Sequence, residues 1–417
     1  MPDRPRSQGR PAGAGARGRI PDERLWQVGF LVGSLLGAAI TVAGRQVERS
    51  ARAAGLVDWG QVEKIAIARL RSAPGTLPAS ELRVAEGDYA AAMERVVPAL
   101  AAHLGTELPG VVDRVAVVNR GEWVQANTVA FAHIIGKLED SLLEQMLPEG
   151  AGFGKATMTL ANRWVTTRQL GLLLGFMGQR VLGQYDLALL SAETTPGRLL
   201  FVEENIRQTA KALDVPIGPF RTWIALHETT HAFEFEAHPW LRPYLAERLE
   251  RQVSMFSADA SALGRDAMKA VGAALRGEGR RDDQHWMERL MSDEQRTLFR
   301  ETQAVMSLLE GFGDHVMDEV GKDLVPGVER ISARFHGRRV NRTPFEKAML
   351  RITGMDLKME QYRKGEAFVA EIERLAGAAA LRRLWDGPET LPRPEEIERP
   401  IEWVRRLGLN QLQGGTA

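Results

Sequence analysis

The chain has 417 residues, 44% of them hydrophobic, with 54 basic and 54 acidic side chains and no cysteine. That length supports a sizeable core, while zero formal net charge and the lack of an aromatic-basic signature give no footing for nucleic acid. Without cysteine there is no disulfide and no thiolate zinc site, so any metal must be held by His, Asp or Glu, and the composition suits a reducing, cytoplasmic compartment.

Residues 1–24 are rich in Arg, Gly and Pro and cannot bury apolar surface, so a disordered basic tail is expected. An apolar N-terminal helix is expected over 25–56. Its run "VGFLVGSLLGAAITVA", residues 28–43, carries no charge and places glycines at 29, 33 and 37, a row that lets helices approach closely. The run is short for a spanning helix. A comparable stretch, "LGLLLGFMGQRVLG" (170–183), recurs deep inside the chain, where no signal peptide can lie. A buried helix is therefore the expectation, with membrane contact or export through 28–43 as the alternative.

Beyond residue 57 most segments read as helix. "WGQVEKIAIARLRSA", "DYAAAMERVVPALAAHL" and "GEWVQANTVAFAHIIGKLEDSLLEQM" repeat apolar residues at three-to-four spacing. The strand signals are "RVAVVN" (114–119), "YDLALL" (185–190) and "RLLFVEEN" (198–205). The turn-like "SAETTPG" separates the last two and predicts a hairpin. The charged, Gly-rich "RGEGRRDDQ" (276–284) reads as a solvated loop. No repeat and no long linker divides the body, which is expected as one domain over 57–410 with a flexible C-terminus at 411–417. The fold class expected is mainly α, with a small β-hairpin or sheet near the helix described next.

"WIALHETTHAFEFEAHPW" (223–240) holds three of the eight histidines. Pro219 fits a first helical turn, and Pro239 ends what Pro219 begins. His227 and His231 stand four apart, so a helix puts both imidazoles on one face, one turn apart. Two neutral imidazoles at this spacing fill two corners of a tetrahedral zinc site. Glu228 sits one residue round from His227, where it can reach water at the metal without displacing a ligand. The three make the H-E-x-x-H arrangement of two ligands and a general base. His238 lies seven residues beyond His231, too far along a continuous helix to join the pair. It also misses the metzincin pattern, since Glu234 and Ala237 stand where Gly and His are needed. Glu234 and Glu236 are expected at the helix end or behind the ligands.

A third ligand must come from elsewhere, and "SLLEGFGDHVMDEVG" (307–321) offers one. "SDEQ" at 292–295 reads as the capping-box start of its helix and Gly321 as its stop. Glu310 shares a row with Met306, Gly313 and Met317, and a carboxylate on an apolar row needs a partner. Gly311 and Gly313 cost about 1 kcal/mol each in a helix interior, which points to a close approach by another helix. Asp314 follows Glu310 by one turn, placed to hold a ligand histidine through its second nitrogen. Glu-x-x-x-Asp after H-E-x-x-H resembles the gluzincin pattern, although Glu310 lies much further downstream than in thermolysin-like enzymes. His315 is an oxyanion donor or a structural histidine.

Beyond these residues, the segments "VDWGQVEKIA", "NRGEWVQAN", "VLGQYDLAL", "RLLFVEENI", "LLEGFGDHVMDEVG", "MDLKMEQYRKGEAF" and "LPRPEEIERPIEWVRR", with the histidine segment, run from about 57 to 406. Together they resemble a family of zincin-like metal-dependent hydrolases of actinobacteria, associated with biosynthesis of the deazaflavin coenzyme. The resemblance implies a mainly helical fold around a zincin-like core, one zinc ion per chain on His227, His231 and Glu310, and Glu228 as base. It implies no particular substrate. Tyr185 and Tyr362 are further candidates for an oxyanion or substrate contact, and Arg338 or Arg339 of "HGRR" for a substrate carboxylate. The simpler readings are packed tyrosines and a solvated turn. The function expected is zinc-dependent hydrolysis of a peptide or amide bond, with the hairpin edge offered to an extended substrate. The alternatives are a non-catalytic helical scaffold with a structural metal, or a membrane-anchored protease.

Overall fold

The computed structural model describes residues 47–146, 152–185, 197–258, 291–340 and 355–409. The expected tail, the apolar run at 28–43, the loop at 276–284, the turn at 191–196 and the C-terminus from 411 lie outside the described residues.

The described chain is mainly helical, as its spacing predicts. Helices α1 (Trp59–Leu70) and α2 (Ala79–Leu104) precede strand β1 (Val115–Val118). Helices α3 (Arg120–Met146) and α4 (Gly152–Gly178) follow, then β2 (Gly183–Tyr185), β3 (Leu199–Val202) and α5 (Glu203–Leu213). The histidine segment forms α6 (Ile217–Ala237), followed by α7 (Leu241–Ala258), α8 (Asp293–Leu324), α9 (Val328–Val340) and α10 (Met355–Ala376). Short helical turns between 378 and 406 close the described chain.

The three strands form one sheet in the order β1-β3-β2. β1 runs parallel to β3, pairing Val115 with Leu199, and β2 runs antiparallel, pairing Tyr185 with Leu199 and Gly183 with Phe201. Of the expected strand 185–190 only Tyr185 is described, as the last residue of β2, and residues 186–190 lie outside the described residues. β3 is central and all four of its residues are buried. Successive side chains of a strand face opposite ways. Leu199 and Phe201 enter a large core with Tyr89, Phe220, Trp223 and Phe368. Leu200 and Val202 enter a smaller core with Val62, Trp123 and Leu174. The sheet thus separates two cores, and α6 belongs to the large one.

α6 is apolar on nearly every side, with Phe220, Trp223, Ile224, Leu226, Ala232 and Phe233 all buried, the pattern of a helix enclosed by protein. It starts after Pro216 and stops at His238, where Pro239 cannot donate the next backbone bond. α8 begins with the expected capping box: the Ser292 hydroxyl accepts from the Gln295 N–H, and the Ser292 N–H donates to the Gln295 side chain. Its end departs from expectation. Gly321 does not stop the helix, which continues to Leu324 just ahead of Pro326. A Cβ on Gly321 would lie 3.1 Å from Val328 Cγ2, so its small size serves packing instead. "HGRR" is likewise no turn, because residues 336–339 fall inside α9. The "LGLLLGFMG" stretch is the end of α4, where Gly171 and Gly175 meet Val62, Ile65 and Ala66 of α1. Among the described residues no helix is long and apolar enough to cross a membrane.

Candidate metal centre

α6 brings His227 and His231 onto one face, their rings edge-to-face at 4.6 Å between centroids. Their Nε2 atoms lie 3.3 Å apart. α8 packs across this face and presents Glu310, which is 3% exposed. Its Oε2 is 3.8 Å from His227 Nε2 and 3.7 Å from His231 Nε2. The donor atoms of the three residues all lie within 4.8 Å of one another, the sole such His and carboxylate group among the described residues.

These spacings can be tested against a metal. Ligands at about 2.0–2.1 Å in a tetrahedral zinc site stand about 3.3 Å from each other. The two nitrogens meet that value, and Glu310 is within half an ångström of it. Two imidazoles and one carboxylate also leave a fourth position open, the donor set of catalytic rather than structural zinc. The residues fit the ion.

Charge around the cluster is unevenly placed. Glu234 Oε2 stands 2.7 Å from His231 Nδ1, one turn further along α6. Burial pushes the His231 imidazole down, but Glu234 and Glu310 outweigh it and hold the ring well above its usual range. Burial lifts the Glu234 carboxyl to about 7 against the opposing pull of His231. On the other histidine, Met317 Sδ lies 2.9 Å from His227 Nδ1, whereas Asp314 Oδ1 is 3.9 Å away. Spacing along α8 put Asp314 behind a ligand. Glu234 lies within bonding distance of His231, a placement that needs only the turn of its own helix.

Glu228 is buried beside the cluster, and the Tyr185 N–H donates to its Oε2 at 3.0 Å. The strand comes this close because Gly183 has no side chain: a Cβ there would stand 2.5 Å from Glu228 Cγ. The Tyr185 hydroxyl points to a different partner, donating to Glu236 Oε1 at 2.8 Å. Arg114 holds the same carboxylate with both terminal nitrogens, at 2.6 and 2.9 Å. Burial, then the Glu236 charge, pushes the Tyr185 phenol up to about 12.

Two further candidate histidines have partners of their own. His315 Nε2 lies 3.7 Å from Glu373 Oε2. His238 accepts its place from the helix end: its Nδ1 is 2.8 Å from the Glu234 carbonyl and its ring stacks on Trp385. Tyr362 falls in α10, and its side chain, like those of Arg338 and Arg339, is outside the described residues. Gly183 and Met317 were missed as parts of the site, because a strand-to-helix contact and a sulfur on a core row leave no motif.

A family model described as zincin-like metallopeptidase matches residues 57–404. Among solved structures, a candidate hydrolase with a novel fold from Chloroflexus aurantiacus is 34% identical, with a TM-score of 0.61 over 85% of this chain and 99% of its own. No curated protein matches.

Proposed function

The chain belongs to the zincin-like metallopeptidase family, and we propose that within it the chain is a zinc-dependent peptidase or amidase with Glu228 as its general base. Membership assigns a metal-dependent hydrolase; the zinc ion, the bond cleaved and the residue roles are the further steps of the proposal. The observation that carries them is the juxtaposition of His227, His231 and Glu310 with a buried Glu228 beside them.

His227, His231 and Glu310 would hold the ion. Bound there, zinc supplies a Lewis acid for the carbonyl and lowers the pKa of water from about 15.7 to roughly 7. Glu228 takes the proton released in attack and returns it to the leaving nitrogen. Its carboxylate is aimed by the Tyr185 amide and walled in by Gly183, so it is positioned before substrate arrives. An extended substrate along β2 would have to use other edge groups, since that amide is already committed to Glu228. The Tyr185 hydroxyl is held by Glu236 in this state, and a role at the oxyanion would require it to exchange partners. A cytoplasmic location and the actinobacterial deazaflavin association rest on composition and on the resemblance respectively.

Glu228→Gln tests the proposal. Zinc content is expected to stay near one ion per chain, while cleavage of a quenched-fluorescent peptide library falls by at least ~100-fold. Unchanged cleavage in the variant would remove Glu228 as the base. Wild-type protein that takes up zinc but cleaves nothing in peptide and acyl-amide libraries would favour the structural-metal alternative.

A further inference from the structure

We propose that Glu234 is the positioning residue of the metal centre, holding His231 through its Nδ1–H so that Nε2 faces the ion. The inference rests on the metal-binding reading given above and adds to it a residue behind one of the histidines.

Glu234 is 2% exposed, within a stretch of α6 that includes the buried Phe233 and Phe235. Burying a carboxylate there is costly unless a donor offsets it. Its Oε2 meets His231 Nδ1 at 2.7 Å, the length of a charge-assisted bond. Its other oxygen, Oε1, is buried with no hydrogen-bond partner. The carboxylate is thus spent on one imidazole nitrogen and nothing else through its side chain. A residue kept for helix stability would not need that position, since the same helix carries a carboxylate in a fully satisfied pair: Glu236 with Arg114 and Tyr185.

The geometry fixes the imidazole in two ways. In the neutral, metal-binding form, a hydrogen on Nδ1 donated to Glu234 would leave the Nε2 lone pair on the side of His227 and Glu310. The same bond fixes rotation of the ring about its Cβ–Cγ axis. Carboxylates behind ligand histidines also strengthen the imidazole as a donor, and their loss typically weakens metal affinity 10–100-fold. At His227 the Nδ1 atom lies 2.9 Å from Met317 Sδ and 3.9 Å from Asp314 Oδ1.

The test is zinc affinity, measured on the full chain by competition with a chromophoric chelator. Glu234→Ala is expected to raise the zinc dissociation constant about 10–100-fold. Glu234→Gln keeps an acceptor oxygen of the same reach and should fall between wild type and Glu234→Ala. Glu236→Gln, two residues along the same helix, should leave affinity unchanged. Far-ultraviolet circular dichroism reports whether each variant folds. Nitrogen-15 spectra should show a slowly exchanging His231 Nδ1–H in wild type and Glu234→Gln that is lost in Glu234→Ala. Affinity that is the same in Glu234→Ala and Glu236→Gln overturns the positioning role while leaving the metal site intact. Wild-type protein that binds no zinc, or whose zinc is retained after His227→Ala, overturns the metal-site reading itself and this inference with it.

Discussion

Gly183 lies so close to Glu228 that a methyl group on its Cα would stand 2.5 Å from Cγ and 2.6 Å from Oε1. The clash falls on a side chain, so the carboxylate must yield while the strand keeps its pairing with Phe201. Gly183→Ala is thus expected to move the base and spare the ligands. A displacement of about 1 Å can cost 10²-fold in rate. Peptide cleavage should drop by roughly 10–100-fold while zinc content and thermal midpoint stay near wild type. Full cleavage activity in that variant would mean Glu228 acts from another position. The residues proposed to react were readable in the sequence, because helical periodicity places His227, Glu228 and His231 together without any knowledge of the fold. Gly183 was not. Its significance arises from a strand that meets α6 from a distant part of the chain, and a lone glycine beside a strand carries no record of what it must clear.

At the level of elements, the pairing of α8 with α10 decides where Glu310 sits. A Cβ on Gly311 would lie 2.0 Å from the Gly365 carbonyl carbon, and one on Gly365 would lie 1.8 Å from the Ser307 oxygen. Both obstacles are backbone, so the helices would have to separate. Gly365→Ala is expected to destabilise by about 1–3 kcal/mol, the usual cost of overpacking. It should also weaken zinc binding, since Gly311 is next to Glu310. Gly87→Ala is the matched control. It too lies in a helix interior, but nothing stands within 4 Å of its added Cβ. That change should stabilise by about 0.5–1 kcal/mol, the propensity difference alone. Urea midpoints of the two variants would have to shift in opposite directions. The sequence already implied that Gly311 tolerates a close neighbour, and α10 supplies it. The partner was not legible, because Gly365 sits in a polar-looking helix with no sign of a crossing. Gly321 shows the converse limit: a glycine near a helix end reads as a stop, yet contact with Val328 and Leu226 explains it here and Pro326 does the stopping.

Across the whole molecule, the proposed metal ligands join two helices that are far apart in the chain. α6 gives two donors and α8 the third, and both helices contribute to the large core with Phe233, Leu308 and Phe312. His227 and His231 are close in any conformation with a helical turn, so an unfolded chain retains some affinity for zinc. Glu310 adds itself only when the core has formed. Zinc should therefore bind the folded state in preference, and ligand linkage turns that preference into stability. At free zinc 100 times the dissociation constant the gain is about 2.7 kcal/mol, less whatever the unfolded chain binds. For a protein of this size that amounts to several degrees in thermal midpoint. Scanning calorimetry with added zinc and with EDTA should separate the two transitions, and the gap should widen as free zinc rises. Glu310→Gln should shrink it strongly while leaving the EDTA midpoint near or above wild type, because a buried charge has been removed from the apo core. A midpoint indifferent to zinc and EDTA in the wild-type chain would mean that no ion bridges α6 and α8. The spacing of His227, His231 and Glu310 would then have to be explained by packing alone.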